Sequence, residues 1–187
     1  KKHWNYDSFR PQQLAVIESI LAGKDTLALL PTGAGKSICF QVPTIYQRGI
    51  CIVISPLIAL MQDQVKDLVS KNLKAVLLGS HLNANEESNV FKEIEAKKYQ
   101  FIYCSPEKLA QKHFQTLLSG LPIQLFAIDE AHCISQWGYD FRPSYRKLDF
   151  IKKTFPTIPI LAMTASAIPL VQKDMLLQLA VQDANLI

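Results

Sequence analysis

Lys36 and Ser37 end the stretch Leu30-Pro31-Thr32-Gly33-Ala34-Gly35-Lys36-Ser37, which follows a short apolar run. Gly33 and Gly35 let the backbone bend so that several N–H groups face one point. A helix opening at Gly35 adds its positive end. Such a loop suits phosphate. Thr32, Gly33, Ala34 and Gly35 would line the cradle, Lys36 would reach the outer phosphates, and the Ser37 hydroxyl would hold Mg²⁺. The general pattern asks for Gly where this chain has Leu30, so the stretch departs from the pattern of kinases and small GTPases.

A phosphate loop needs a metal partner and a group that orients water. Leu125-Phe126-Ala127-Ile128-Asp129-Glu130-Ala131-His132 offers both, because an apolar strand ends there in two carboxylates. Strand ends of that kind are where α/β sheets bind ligands. Asp129 would bind Mg²⁺ directly or through its water, and Glu130 would polarise the attacking water as general base. His132, taken alone, is more often structural than catalytic.

Just beyond, Trp137, Tyr139, Phe141 and Tyr145 interleave with Arg142, Arg146 and Lys147. Rings that stack on bases and cations that meet phosphates suit single-stranded DNA, at roughly 1–3 kcal/mol per stacked base. Phe141 and Tyr145 fit equally well a role in packing the next helix onto the sheet. Ser55 and Ser105 each precede a Pro that starts a helix, which presents a hydroxyl and free N–H groups to a phosphate or merely caps the helix. Gly79-Ser80-His81 is a weaker candidate of the same type.

The elements that must position these groups follow from the apolar pattern. Continuous apolar runs at 26–30, 50–54, 75–78, 101–104, 124–128 and 158–163 read as strands covered on both faces. Between them, helices are expected over 11–22, 56–70, from the capping-box pair Asn83 and Glu86 onward, and over 106–118, 143–153 and 169–180. This alternation predicts an α/β fold with a mainly parallel sheet flanked by helices on both faces.

At 187 residues, 49% apolar and 19% charged, the chain can bury one sizeable core, which excludes a disordered or low-complexity protein. No apolar run reaches the roughly 18 residues of a membrane helix, so no membrane partner is expected. A net charge of +4 permits a polyanionic partner without demanding one. None of Cys39, Cys51, Cys104 and Cys133 sits in a C-x-x-C pair, so no zinc is expected and the thiols read as reduced. With no secretory signal evident, an intracellular protein is expected: cytoplasmic if bacterial, which is favoured, and nuclear if eukaryotic. The chain starts at Lys1 rather than Met, so it reads as a piece of a longer one.

These stretches together resemble a superfamily 2 helicase, specifically the first RecA-like motor domain of a RecQ-type DNA helicase, from about Tyr6 to about Leu179. Tyr6 with Phe9-Arg10-Pro11-Gln12-Gln13 is similar to the family's adenine-recognition segment, which implies that Tyr6 stacks on the base and that Arg10 and Gln13 join in binding it. Ser55 to Val65 and Tyr103 to Leu109 match further motifs, which raises Ser55 and Ser105 to DNA contacts. Met163-Thr164-Ala165-Ser166-Ala167 matches the hydroxyl-rich motif that links hydrolysis to a second domain, so Thr164, Ser166 and His132 take coupling roles. Ala131 to Pro143 is the most family-specific stretch and brings Trp137, Tyr139, Phe141 and Arg142 to DNA; RNA helicases with the same acidic box lack this aromatic continuation.

The resemblance implies ATP and Mg²⁺ as cofactors, single-stranded and partly duplex DNA as partner, and 3′-to-5′ movement. Residues 1–187 would form a single N-terminal ATP-binding domain whose second motor domain lies elsewhere in the parent chain. Ala34, Ser166 and Tyr139 depart from the usual Gly, Thr and His. The rivals are an RNA helicase or annealing motor on the same fold, and a nucleotide-binding module without turnover.

Overall fold

The computed structural model describes residues 3, 4 and 7–187. Helix α1 (Pro11–Leu21) leads into β1 (Thr26–Leu29), α2 (Lys36–Gln47) into β2 (Ile50–Ile54), α3 (Ile58–Ser70) into β3 (Ala75–Leu78), and α4 (Ala84–Glu95) into β4 (Phe101–Cys104). Then come α5 (Pro106–Leu109), α6 (Lys112–Ser119), β5 (Ile123–Ile128) and 3₁₀ segments at Ala131–Ile134 and Pro143–Asp149. The last elements are α7 (Phe150–Thr154), β6 (Ile160–Thr164), α8 (Pro169–Gln178) and β7 (Asn185–Leu186).

The strands form one sheet in the order β3-β4-β2-β5-β6-β1-β7, and every pairing is parallel. Each central strand serves two cores because successive side chains point to opposite faces. Ile52 and Ile54 of β2 and Phe126 and Ile128 of β5 join α4, α6 and α8 on one side. Cys51, Val53, Leu125 and Ala127 join α1, α2 and α3 on the other. Burial on both faces explains why these runs show no polar alternation.

Two expected elements differ, and one was not expected. The helix expected over 106–118 is broken at Ala110 and Gln111, and the break lets Leu109, Phe114 and Leu118 all reach full burial. The helix expected over 143–153 is 3₁₀ as far as Asp149. Tyr145, Leu148 and Ile151 are the buried positions there, a spacing of three that matches three residues per turn rather than 3.6. The two-residue β7 was not legible; it pairs with β1, and the Leu29 amide donates to the Ile187 carbonyl at 2.7 Å. The capping box at Asn83 forms as expected, with the Asn83 amide donating to Glu86 Oε2 at 2.9 Å.

The carboxyl ends of β1, β5 and β6, which are neighbours in the sheet, bring Lys36 at the start of α2, Asp129 just past β5 and Thr164 at the end of β6 to one rim. The opposite edge is stapled by Asp25. Its carboxylate accepts from the Ile160 amide at 2.7 Å and pairs with Lys152 Nζ at 2.8 Å, while its carbonyl accepts from the Asn185 amide at 2.9 Å. One residue thereby joins β1, β6, β7 and α7. Among the described residues, no helix is long and apolar enough to cross a membrane.

Candidate active site

The loop between β1 and α2 is anchored at its start, where the Leu30 amide donates to the Thr164 carbonyl at 3.0 Å. Gly33 and Gly35 sit in the left-handed region at φ 78° and 76°, as expected of a loop that turns its amides inward. Glycine suits the left-handed conformation of Gly35, and a Cβ there would lie 2.5 Å from Gln13 Nε2 and so would displace that amide. Lys36 and Ser37 occupy the first turn of α2. Thr32 and Gly33 are exposed, and Ala34 is buried against the core.

Gln13 is a buried staple of this loop. Its Nε2 donates to the Ala34 carbonyl at 2.9 Å and to the Gly35 carbonyl at 3.3 Å, and its Oε1 accepts from the Arg10 amide at 3.0 Å. Arg10 Nη1 donates to the Gly33 carbonyl at 3.0 Å. If Gln13 also reads the N6 and N7 edge of adenine, its longer bond, to Gly35, must open to free an N–H. Gln13→Ala is expected to lower ATP affinity and the preference for ATP over GTP, the latter by on the order of tenfold, as loss of one two-point base contact. Titration of both nucleotides checks this; an unchanged ratio removes adenine from the role of Gln13. Tyr6, expected to stack on the base, lies outside the described residues.

At the end of β5, Asp129 is 7% exposed and its amide donates to the Ile54 carbonyl at 2.8 Å. Burial, then the neighbouring Glu130, raises its carboxyl above the usual range, opposed by Lys36 and by the Glu130 amide that donates to its Oδ1 at 3.0 Å. A buried carboxylate with a second beside it calls for a cation, and a carboxylate with the Ser37 hydroxyl is the hard oxygen set that Mg²⁺ takes. Glu130 has φ 49°, a left-handed backbone that a non-glycine residue adopts at a cost of about 1–3 kcal/mol. That conformation starts the 3₁₀ turn and brings Glu130 Oε2 within 3.3 Å of His132 Nδ1.

His132 is buried, and its Nδ1 lies 3.0 Å from Thr164 Oγ1. Thr164 Oγ1 donates its one hydrogen to the Ser166 carbonyl at 3.3 Å, so it accepts from Nδ1–H. The network therefore assigns the proton of a neutral ring to Nδ1 and leaves Nε2 with a free lone pair. Desolvation lowers the His132 pKa, with Glu130 and Asp140 opposing, so the neutral ring is favoured. His132 and Thr164, expected from the resemblance to take coupling roles, are thus in direct contact, whereas Ser166 contributes its carbonyl and is exposed.

The aromatic segment splits. Trp137 and Tyr139 are 60% and 79% exposed, and the inner face of Tyr139 stacks on His132 with ring centroids 4.4 Å apart. Phe141 is half-buried beneath the Arg146 guanidinium, 5.2 Å from its centroid. Arg142 pairs with Asp140 at 3.1 Å. Tyr145 is core, and its hydroxyl donates to the Asp129 carbonyl at 3.2 Å, so packing wins for that ring. Ser135 ties the segment to α8 through a 2.6 Å bond to Asp174. Gly138 lies against backbone: a Cβ there would be 2.7 Å from the His132 carbonyl. Gly138→Ala is expected to push Trp137 and Tyr139 off this seat, costing about 1–3 kcal/mol of stability and abolishing stimulation of turnover by single strands. Thermal denaturation and a nucleotidase assay check both parts.

Ser55 is buried, and its hydroxyl accepts from the Leu57 amide at 3.4 Å. Ser105 caps α5, accepting from the Lys108 amide at 3.3 Å, and lines a cleft of about 260 Å³ with Gly79, Ser80 and Lys108. Ser105 thus acts as a helix cap, whereas Ser55 holds the turn ahead of α3, and the cleft, which Ile58 and Met61 also line, gathers three of the stretches proposed to meet a strand. Sequence reasoning missed Asp140 and the loop-holding role of Gln13. The Asp140-x-Arg142 spacing was the available signal for the first; nothing local announces the second.

A glycine loop after β1, carboxylates ending β5 and a hydroxyl ending β6 on one parallel sheet define a RecA-like nucleotide-binding domain. The chain belongs to the DEAD/DEAH box helicase family, whose pattern matches residues 10–174. It is 45% identical over 97% of its length to the probable ATP-dependent DNA helicase RecS of Bacillus subtilis, covering 36% of that protein. It is 42% identical over 97% of its length to the ATP-dependent DNA helicase RecQ of Pasteurella multocida, covering 29%. The chain thus spans about a third of these two relatives and less of others. Its fold is similar to that in the crystal structure of DUF1998 helicase MrfA bound to DNA and AMPPNP, with TM-score 0.73, 15% identity, and coverage of 98% of this chain and 27% of that one.

Proposed function

We propose that this chain is the ATP-binding motor domain of a RecQ-like 3′-to-5′ DNA helicase, coupling ATP hydrolysis to movement along single-stranded DNA and unwinding of duplex. The observation that carries this reading is the stack of Tyr139 on His132, which in turn touches Glu130 and Thr164. A ring exposed to bases on one face thereby rests on the group that orients the catalytic carboxylate. The names of the RecS and RecQ relatives support DNA over RNA as the track.

In this mechanism Lys36 draws the outer phosphates toward the start of α2. Asp129 and Ser37 would hold Mg²⁺, which supplies charge neutralisation on the phosphates. Glu130 takes the proton of the attacking water as its oxygen bonds to the outer phosphorus and the bond to the leaving phosphate breaks. His132 Nδ1–H holds Glu130 and Thr164 together. A base stacking on Tyr139 changes the load on His132 and so the aim of Glu130. A second RecA-like domain of the parent chain would close the site. The four free, buried cysteines support a reducing, intracellular setting, cytoplasmic in a bacterium or nuclear in a eukaryote.

The test compares ATP turnover by the parent motor with single-stranded DNA and with RNA of matched length. Stimulation by DNA is expected. Equal or greater stimulation by RNA assigns an RNA motor instead, and none by either leaves a binding module.

A further inference from the structure

His132, Cys133 and Asp140 bring one imidazole nitrogen, one thiol and one carboxylate oxygen within 4.8 Å of one another. Cys133 Sγ lies 3.7 Å from His132 Nε2 and 3.6 Å from Asp140 Oδ2. Around a tetrahedral Zn²⁺, bonds of about 2.3 Å to sulfur and 2.0–2.1 Å to nitrogen place those two atoms roughly 3.5 Å apart. Both distances to Cys133 Sγ are therefore at ligand spacing, and His132 and Asp140, within 4.8 Å of each other, would close somewhat around the ion.

From this geometry we infer that His132, Cys133 and Asp140 form a site for a borderline-soft divalent cation such as Zn²⁺, with a fourth position left for water. The supporting contacts are those that metal ligands carry. His132 Nδ1 lies 3.3 Å from the Glu130 carboxylate and 3.0 Å from Thr164, which aims the free Nε2 lone pair at the cluster. Arg142 holds Asp140 Oδ2 through Nε at 3.3 Å and Nη2 at 3.1 Å, and keeps that carboxyl below its usual range. Access is open on the solvent side: Asp140 is half exposed, and His132 also lines a cleft of about 360 Å³ with Trp137, Tyr139 and Val171. The set excludes Mg²⁺, which takes oxygen ligands in an octahedron, so this is not the proposed nucleotide metal.

The expectation from cysteine spacing was no zinc. That argument does not reach this cluster, in which only one ligand is a cysteine and six residues of folded loop separate it from the carboxylate. Coordination forms the sulfur–metal bond and releases the thiol proton to solvent. The ion would pin Asp140 to His132 and hold the aromatic segment shut on Glu130. This regulatory consequence, unlike the site itself, rests on the proposed helicase reading.

The test is spectroscopic and uses the 187-residue chain with Co²⁺ as the probe. A thiolate-to-cobalt charge-transfer band is expected at one equivalent, and Zn²⁺ should displace it. Cys133→Ser should remove the band and Cys104→Ser should leave it. Asp140→Asn should weaken Co²⁺ affinity on the order of 10- to 100-fold, as loss of an outer partner alone does elsewhere. No band in excess Co²⁺, or a band that survives Cys133→Ser, overturns the site. If Cys133→Ser does not fold by circular dichroism, Asp140→Asn decides, and unchanged affinity overturns it. The band requires no ATP turnover, so failure of the helicase reading leaves it in place.

Discussion

Glu130→Gln is expected to slow ATP hydrolysis by on the order of 10²–10⁴, the range for loss of a positioned general base, while leaving nucleotide binding near wild type. The amide keeps the size of the carboxylate, and its oxygen still accepts from His132 Nδ1–H, which lies 3.3 Å from Glu130. What it loses is the capacity to take a proton from water. Lys36→Ala is its counterpart: it removes a charge that acts on Asp129 and His132 as well as on the phosphates, so binding should fail with hydrolysis. Measuring nucleotide affinity and single-turnover hydrolysis for both variants separates the two roles. Wild-type turnover by Glu130→Gln would remove Glu130 from the chemistry.

Residues 1–187 expressed alone are expected to turn ATP over slowly, with a gain of on the order of 10³–10⁵ when a second motor domain supplies an arginine to the outer phosphate. The four arginines of this chain are otherwise placed. Arg10 is spent on the Gly33 carbonyl, Arg142 on Asp140, and Arg146 on Gln136, while Arg48 sits at the far end of α2. Single strands should bind this polypeptide weakly and with strong salt dependence, since phosphate contacts dominate such binding. Steady-state ATPase assays with and without single-stranded DNA provide the check. DNA-stimulated turnover equal to that of a two-domain motor would mean that one of these four arginines, or that of a second copy, reaches the phosphate.

The glycine loop, the acidic pair and the six longer strands were legible because each is a local pattern. The loop needs its glycines at fixed offsets, and the strands need only to be apolar on both faces. Contacts formed across the chain were not legible. Gln13 stands 21 residues from the carbonyl it holds at Ala34, and nothing in Pro11-Gln12-Gln13 distinguishes the buried amide from the exposed one. The Tyr145 hydroxyl, read as an even choice between DNA and core, is decided by a carbonyl 16 residues away. The 3₁₀ stretch from Pro143 was read as α-helix because a short apolar pattern at spacing three also fits one turn of the longer period.

The Asp25 staple has a consequence for how the molecule breathes. It binds the amino ends of β1 and β6, the seventh strand and α7 at the edge away from the phosphate loop. Amides there can exchange with solvent only when the sheet itself opens. The Gly33–Gly35 turn and the Trp137–Phe141 segment lie outside the strand ladders, held by local turn bonds and a few side-chain ties, and are expected to open locally. Deuterium uptake should therefore rise along each of β1, β5 and β6 from amino to carboxyl end, a gradient within single strands rather than between elements. The molecule is stiff at one rim and pliant at the other, so a nucleotide can come and go without loosening the sheet that holds its ligands in line.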